Sequence, residues 1–145
     1  MVCTFFGHSN CCGLSEGVVE RAIEELITKG VDKFYIGNQG NFDGMVFSCL
    51  IKLKKIYPHI SFAVVLAYLP TKKTEYDAYY GYSIYPEGVE ECPQRFAIDR
   101  RNKWMIEHSD CCLCYITHTW GGAYKFANQA KKKGLELICI GDVKL

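Results

Sequence analysis

Short apolar runs alternate along this chain with longer stretches in which apolar residues recur every three or four positions. Val2 to Phe6 reads as a first strand, ending in Gly7-His8-Ser9-Asn10 and a loop that continues through Ser15. From about Glu16, the positions Val18, Val19, Ala22, Ile23, Leu26 and Ile27 fall at helical spacing, and Gly30 stands where a C-terminal cap glycine belongs. Lys33 to Ile36 predicts a second strand. A second helix carries Met45, Val46, Cys49, Leu50, Leu53 and Ile56 on one face and is closed by Tyr57-Pro58, because proline cannot continue it. Ser61 to Leu69 is a continuous apolar run, as expected of a strand covered on both faces.

After Ser61 to Leu69 the period is lost. Residues 70–93 show no sustained pattern and carry Tyr76, Tyr79, Tyr80, Tyr82 and Tyr85, which reads as a lid or partner surface within the domain. Helical spacing returns from Phe96 to Ser109, with Ala97, Ile98, Arg101, Trp104, Met105 and His108 on one side. Cys111 to Ile116 predicts a fourth strand, Ala123 to Lys132 a helix ended by Gly134, and Leu135 to Ile140 a fifth strand. Strands alternating with helices imply a parallel sheet with right-handed crossovers. The expected fold is α/β, a doubly wound, Rossmann-like parallel sheet of five strands in the order 3-2-1-4-5, with helices on both faces. It should form a single domain over residues 1–145.

Composition narrows the function classes. The chain is 49% apolar and 23% charged, and its net charge of +1 makes no electrostatic case for nucleic acid or an anionic membrane. It has no apolar run near ~18 residues and no signal-peptide pattern, so a cytoplasmic location is expected. Of its nine cysteines, the clusters Cys11-Cys12 and Cys111-Cys112-x-Cys114 do not read as the paired CxxC ligands of a structural zinc site. Cys111, Cys112 and Cys114 share a strand and point to opposite faces, which fits small buried hydrophobes better than metal ligands. Neither a metal nor a cofactor is expected.

The chemistry is expected in three strand-to-helix turns. In the predicted strand order the first strand is central, and ligands of such sheets bind beyond the strands' carboxyl ends where the winding reverses. The loops Gly7 to Asn10, Gly37 to Asp43 and Thr117 to Gly122 converge there. A glycine turn that opens a helix leaves backbone N–H groups unpaired at the positive end of the helix dipole, a seat for phosphate. Candidate ligand-binding residues in these loops are Gly7, His8, Gly37, Asn38, Gln39, Gly40, Thr117, His118, Trp120, Gly121 and Gly122. Arg101 lies on a mostly apolar stripe, so its charge must snorkel outward, pair with a carboxylate or meet an anion near the helix start. Asp43, in the first turn of its helix, is the candidate catalytic carboxylate; its alternative role is to stabilise exposed N–H groups there.

Four motifs in order resemble the SLOG superfamily, most closely its small YpsA-like branch. They are Phe5-Phe6-Gly7-His8, Tyr35-Ile36-Gly37-Asn38-Gln39-Gly40-Asn41-Phe42-Asp43, Arg100-Arg101-Asn102-Lys103-Trp104-Met105 before Ser109-Asp110, and Trp120-Gly121-Gly122. The resemblance runs over nearly the whole chain. It implies a Rossmann-like domain that binds a nucleotide or nucleotide-derived ligand, such as an ADP-ribose derivative, and often pairs with further copies of itself. By position, Gly121 and Gly122 match the family's phosphate-cradling pair, Gly37 and Gly40 its second glycine loop, and Arg101 and Asn102 its arginine-containing helix. LOG enzymes, which release a free base from a nucleoside monophosphate, follow the glycine pair with Gly-Thr and a catalytic glutamate. This chain has Tyr124, Lys125 and Asn128 there, and an amide cannot act as a carboxylate acid or base. The resemblance and the residues leave two readings: a binding module or sensor, or an N-glycosidic hydrolase or transferase acting on nucleoside monophosphates or NAD-like nucleotides. A pure interaction protein would leave the three glycine turns without a purpose.

Overall fold

A computed structural model of the chain describes residues 1–68 and 82–145. Its strands are β1 (Val2–Gly7), β2 (Lys33–Ile36), β3 (Ser61–Val65), β4 (Ser83–Ile84), β5 (Cys111–Tyr115) and β6 (Glu136–Cys139). Its helices are α1 (Glu16–Thr28), α2 (Asn41–Ile56), α3 (Ala97–Glu107) and α4 (Gly122–Lys132), with a short 3-10 turn, Gln94–Phe96, leading into α3. All pairings are parallel and the sheet order is β4-β3-β2-β1-β5-β6. The five expected strands stand in their expected order, but among the described residues the sheet has six.

The sixth strand corrects the reading of residues 70–93 as aperiodic loop throughout. Ser83 and Ile84 pair with Val64 and Val65 at the sheet edge. The Leu66 N–H donates to the Ile84 carbonyl at 2.8 Å, and the Tyr82 ring stacks on Phe62 at 4.7 Å between centroids. Two residues are too few to print a period, and their pairing rests on backbone groups that no side-chain pattern reports. Tyr76, Tyr79 and Tyr80 lie outside the described residues. The third strand is also shorter than its apolar run, since Leu66 and Ala67 continue buried beyond its end.

Alternation along the strands divides the core into two layers. Cys3, Phe5, Phe34, Ile36, Phe62, Val64, Cys111 and Leu113 face α1 and α2, in a cluster with Val19, Ile23, Val46, Leu50 and Leu53. Phe6, Tyr35, Val65, Cys112 and Cys114 face the other way, among Met105, Ile106, Phe126, Ala127 and Ala130 of α3 and α4. The adjacent cysteines of β5 therefore enter opposite layers, each as a small core residue.

Local chemistry sets the helix ends. The Ser15 hydroxyl accepts the Val18 N–H at 3.3 Å and caps α1. At the other end Gly30 has φ +105°, and the N–H groups of Gly30 and Val31 return to the carbonyls of Ile27 and Leu26. Gly134, at φ +93°, closes α4 the same way, with Gly134 and Leu135 donating to Lys131 and Ala130. No helix among the described residues is long and apolar enough to cross a membrane.

Candidate functional site

With α1 and α2 on one face and α3 and α4 on the other, a crevice opens at the carboxyl ends of β1, β2 and β5, where the winding reverses. A cavity of ≈ 310 Å³ occupies it. The end of β1 and the residues just beyond supply Phe5, Phe6, Gly7, His8 and Ser9; the turn after β2 supplies Gly37 and Gln39, and the first turn of α2 supplies Asp43. Across from these stand Ile98, Asp99, Arg101, Asn102 and Met105 of α3, and Gly122, Ala123 and Phe126 of α4.

Two of the helices begin alike. Gly40 precedes α2 with φ 94° and ψ 175°, and Gly121 precedes α4 with φ 91° and ψ 175°. This backbone region is essentially closed to residues with a Cβ. Neither helix has a side-chain cap, so first-turn N–H groups are left without the partner that Ser15 gives α1. The Asn41 N–H donates to the Ser9 carbonyl at 3.2 Å, which ties the start of α2 to the loop after β1. At α4 a Cβ built on Gly122 would meet nothing within 4 Å, so this helix start faces open space. Gly7 is small for a different reason. A Cβ there would strike the Phe42 ring, so its glycine serves the packing of α2 over β1.

Arg101 is 2% exposed. It neither snorkels outward nor forms an ion pair within 4 Å of a carboxylate among the described residues. Its Nη1 donates to the Val65 carbonyl at 2.9 Å and to Asn38 Oδ1 at 3.4 Å, while Nε donates to Asn102 Oδ1 at 2.7 Å. Asp43 approaches the same place from α2. Arg101 Nη1 and Asp43 Oδ2 each lie 2.9 Å from the point where a Cβ on Gly37 would stand, so only glycine leaves room for both. Asp43 Oδ2 accepts the Gln39 N–H at 2.9 Å. It thus bonds to the turn before the helix. Burial of its carboxyl raises the Asp43 pKa to about 6, with the Gln39 hydrogen bond and the Arg101 charge only partly opposing the rise. Burial lowers the Arg101 pKa, and Asp43 opposes that fall.

A third feature joins the loop after β1 to the loop after β5. The imidazoles of His8 and His118 stack with centroids 3.6 Å apart and planes 14° apart, and Trp120 tilts onto His118 at 4.0 Å. The Thr117 hydroxyl and His118 Nδ1 lie 3.1 Å apart. His8 is 7% exposed and its Nε2 has no hydrogen-bond partner among the described residues, whereas Trp120 is 68% exposed. Burial and the neighbouring His118 lower the His8 pKa, against a weaker opposing backbone hydrogen bond.

Of the residues expected from sequence, Gly7, His8, Gly37, Gln39, Asp43, Arg101, Asn102 and Gly122 line the cavity. Asn38, Gly40, Thr117, His118, Trp120 and Gly121 are not among its lining residues. Reasoning from sequence missed Asp99, which lines the cavity and pairs with Lys125 at 3.3 Å, and Ser9, whose side chain lies 2.7 Å from the position of a Cβ on Gly40. An acidic residue in a helix's first turn signals Asp99 only once α3 is known to start at the crevice. Among the described residues no group of three or more His, Cys, Asp or Glu side chains is arranged to hold a metal ion. Compared with protein-family models and with curated proteins, the chain matches none.

Proposed function

We propose that this protein binds a nucleotide or nucleotide-derived ligand, a nucleoside phosphate or an ADP-ribose-like molecule, in the carboxyl-end crevice, and acts as a sensor or binding module. The observation that carries this reading is the convergence on one cavity of Gly37 and Gln39 from the turn before α2, Gly122 at the start of α4, the buried Arg101 and His8. Helix N-termini without side-chain caps suit phosphate oxygens, and a fixed guanidinium adds a permanent positive charge beside them. The motifs that resemble the SLOG superfamily support the same reading, and membership of that superfamily is part of the proposal. So are pairing with a second copy and a cytoplasmic location. Native mass spectrometry of protein purified from cells should show a retained phosphorylated ligand, and a thermal-shift series with nucleoside phosphates and ADP-ribose should stabilise the fold. Absence of both effects overturns the reading.

One observation favours a second reading, an N-glycosidic hydrolase or transferase. Asp43 lies in the cavity with a pKa of about 6, and a carboxyl so poised can hand a proton to a departing base near neutral pH. Incubation with AMP and with NAD separates the two readings: release of free base that Asp43→Asn abolishes favours the enzyme, and intact nucleotide favours the binding module.

A further inference from the structure

The rings of His8, His118 and Trp120 form a continuous stack whose inner member lines the cavity and whose outer member is two-thirds exposed. A tryptophan exposed to this extent has an indole face without protein cover, and it stands one residue before the Gly121-Gly122 turn that opens α4. From the structure we infer that this stack is the base end of the site: a nucleobase lies against the free face of Trp120, and the ligand's polar part runs inward past His8 to the helix starts.

Three features carry the assignment. First, a planar aromatic ligand gains most from an indole held rigidly, and the ring beneath Trp120 is itself held by the His8 stack and the Thr117 contact, so little side-chain freedom is lost on binding. Second, the three rings pass from nearly buried at His8, which lines the cavity, to exposed at Trp120. Third, the buried Nε2 of His8 lacks a partner and belongs to a residue that lines the cavity. A buried ring nitrogen costs free energy unless it is satisfied. A ribose hydroxyl, or a phosphate in the other tautomer, satisfies it. The inference rests on the proposed nucleotide reading and specifies it: the phosphate end is read by backbone and Arg101, and the base end by stacking, which tolerates any base because every base has a π-face.

Calorimetric titration with AMP and with ribose 5-phosphate tests it, since the two share sugar and phosphate and differ in the base. Trp120→Ala should weaken AMP binding by about tenfold or more, the scale of one lost base–aromatic stack, and leave ribose 5-phosphate within about twofold of the unchanged protein. Trp120→Phe should restore most of the AMP affinity. Undiminished AMP binding by Trp120→Ala overturns the base seat, and so does a wild-type protein that binds ribose 5-phosphate as tightly as AMP; both results leave the phosphate reading standing. A protein that binds neither probe and is not stabilised by ADP-ribose overturns the two together. Loss of self-association in Trp120→Ala with AMP affinity unchanged also overturns the base seat, and makes Trp120 a contact between copies of the chain.

Discussion

Asp43 shows at the scale of one residue how the site opposes stability. Its pKa rises from 3.8 to about 6 on folding, so the folded chain binds the proton more tightly than the unfolded chain does. The favourable contribution is therefore fully present below pH 3.8 and is lost as pH rises through about 6. Two pKa units correspond to about 3 kcal/mol. Asp43→Asn should accordingly raise stability at pH 8 and change it little at pH 4, measured as the difference in unfolding free energy between the two proteins across that range. An equal effect at both pH values would show that the carboxyl is not desolvated. Substitution of Arg101 acts in the opposite direction. Lysine offers a point charge where the guanidinium bonds three groups with two nitrogens, so Arg101→Lys should cost roughly 1–3 kcal/mol of stability as well as ligand affinity. From sequence alone the residue reads as either structural or ligand-binding. Its bonds to Val65, Asn38 and Asn102 give it a structural role, and its place in the cavity wall leaves it beside the proposed ligand as well.

At the scale of the element, the two glycine caps predict a graded response. Gly40→Ala meets both a positive φ and the Ser9 side chain, within 2.9 Å of its backbone Cα, whereas a Cβ on Gly121 meets only His118 at 4.0 Å. Melting curves should therefore show a larger loss for Gly40→Ala than for Gly121→Ala, where only the backbone strain of about 1–3 kcal/mol remains. Gly122 has neither restraint. Gly122→Asp should leave the melting temperature of the free protein nearly unchanged, because the side chain enters open space and an acid suits a helix start. On the proposed reading it should nonetheless abolish stabilisation by a nucleoside phosphate, because the carboxylate would occupy the proposed phosphate seat. Persisting ligand stabilisation in that variant would remove α4 from the site.

At the scale of the whole molecule, a ligand that binds only the folded chain stabilises it by mass action. At one hundred times its dissociation constant the gain is about 2.7 kcal/mol, which for a chain of this length raises the melting temperature by roughly 5–10 °C. That shift, followed against concentration, checks the binding reading without any mutation.

The order of strands and helices, the two faces of the sheet and the three convergent glycine turns were legible in the sequence. Each rests on local rules: a period of two or of 3.6, a cap, and the handedness of a parallel crossover. The chain order of these signals also placed the crevice, because a doubly wound sheet reverses at its first strand. The strand Ser83–Ile84 was not legible, since its two residues are held by backbone pairing to β3. Nor were the stacked rings of His8 and His118, which lie 110 positions apart and meet only because β1 and β5 are neighbours in the sheet. The reason Gly37 must be glycine was hidden in the same way: it depends on Arg101 and Asp43 arriving from two different helices at one point. Patterns along the chain decide which elements form and in what order, because their causes act within a few residues. Contacts between side chains on different elements, and the pKa values those contacts set, exist only once the sheet has brought the elements together.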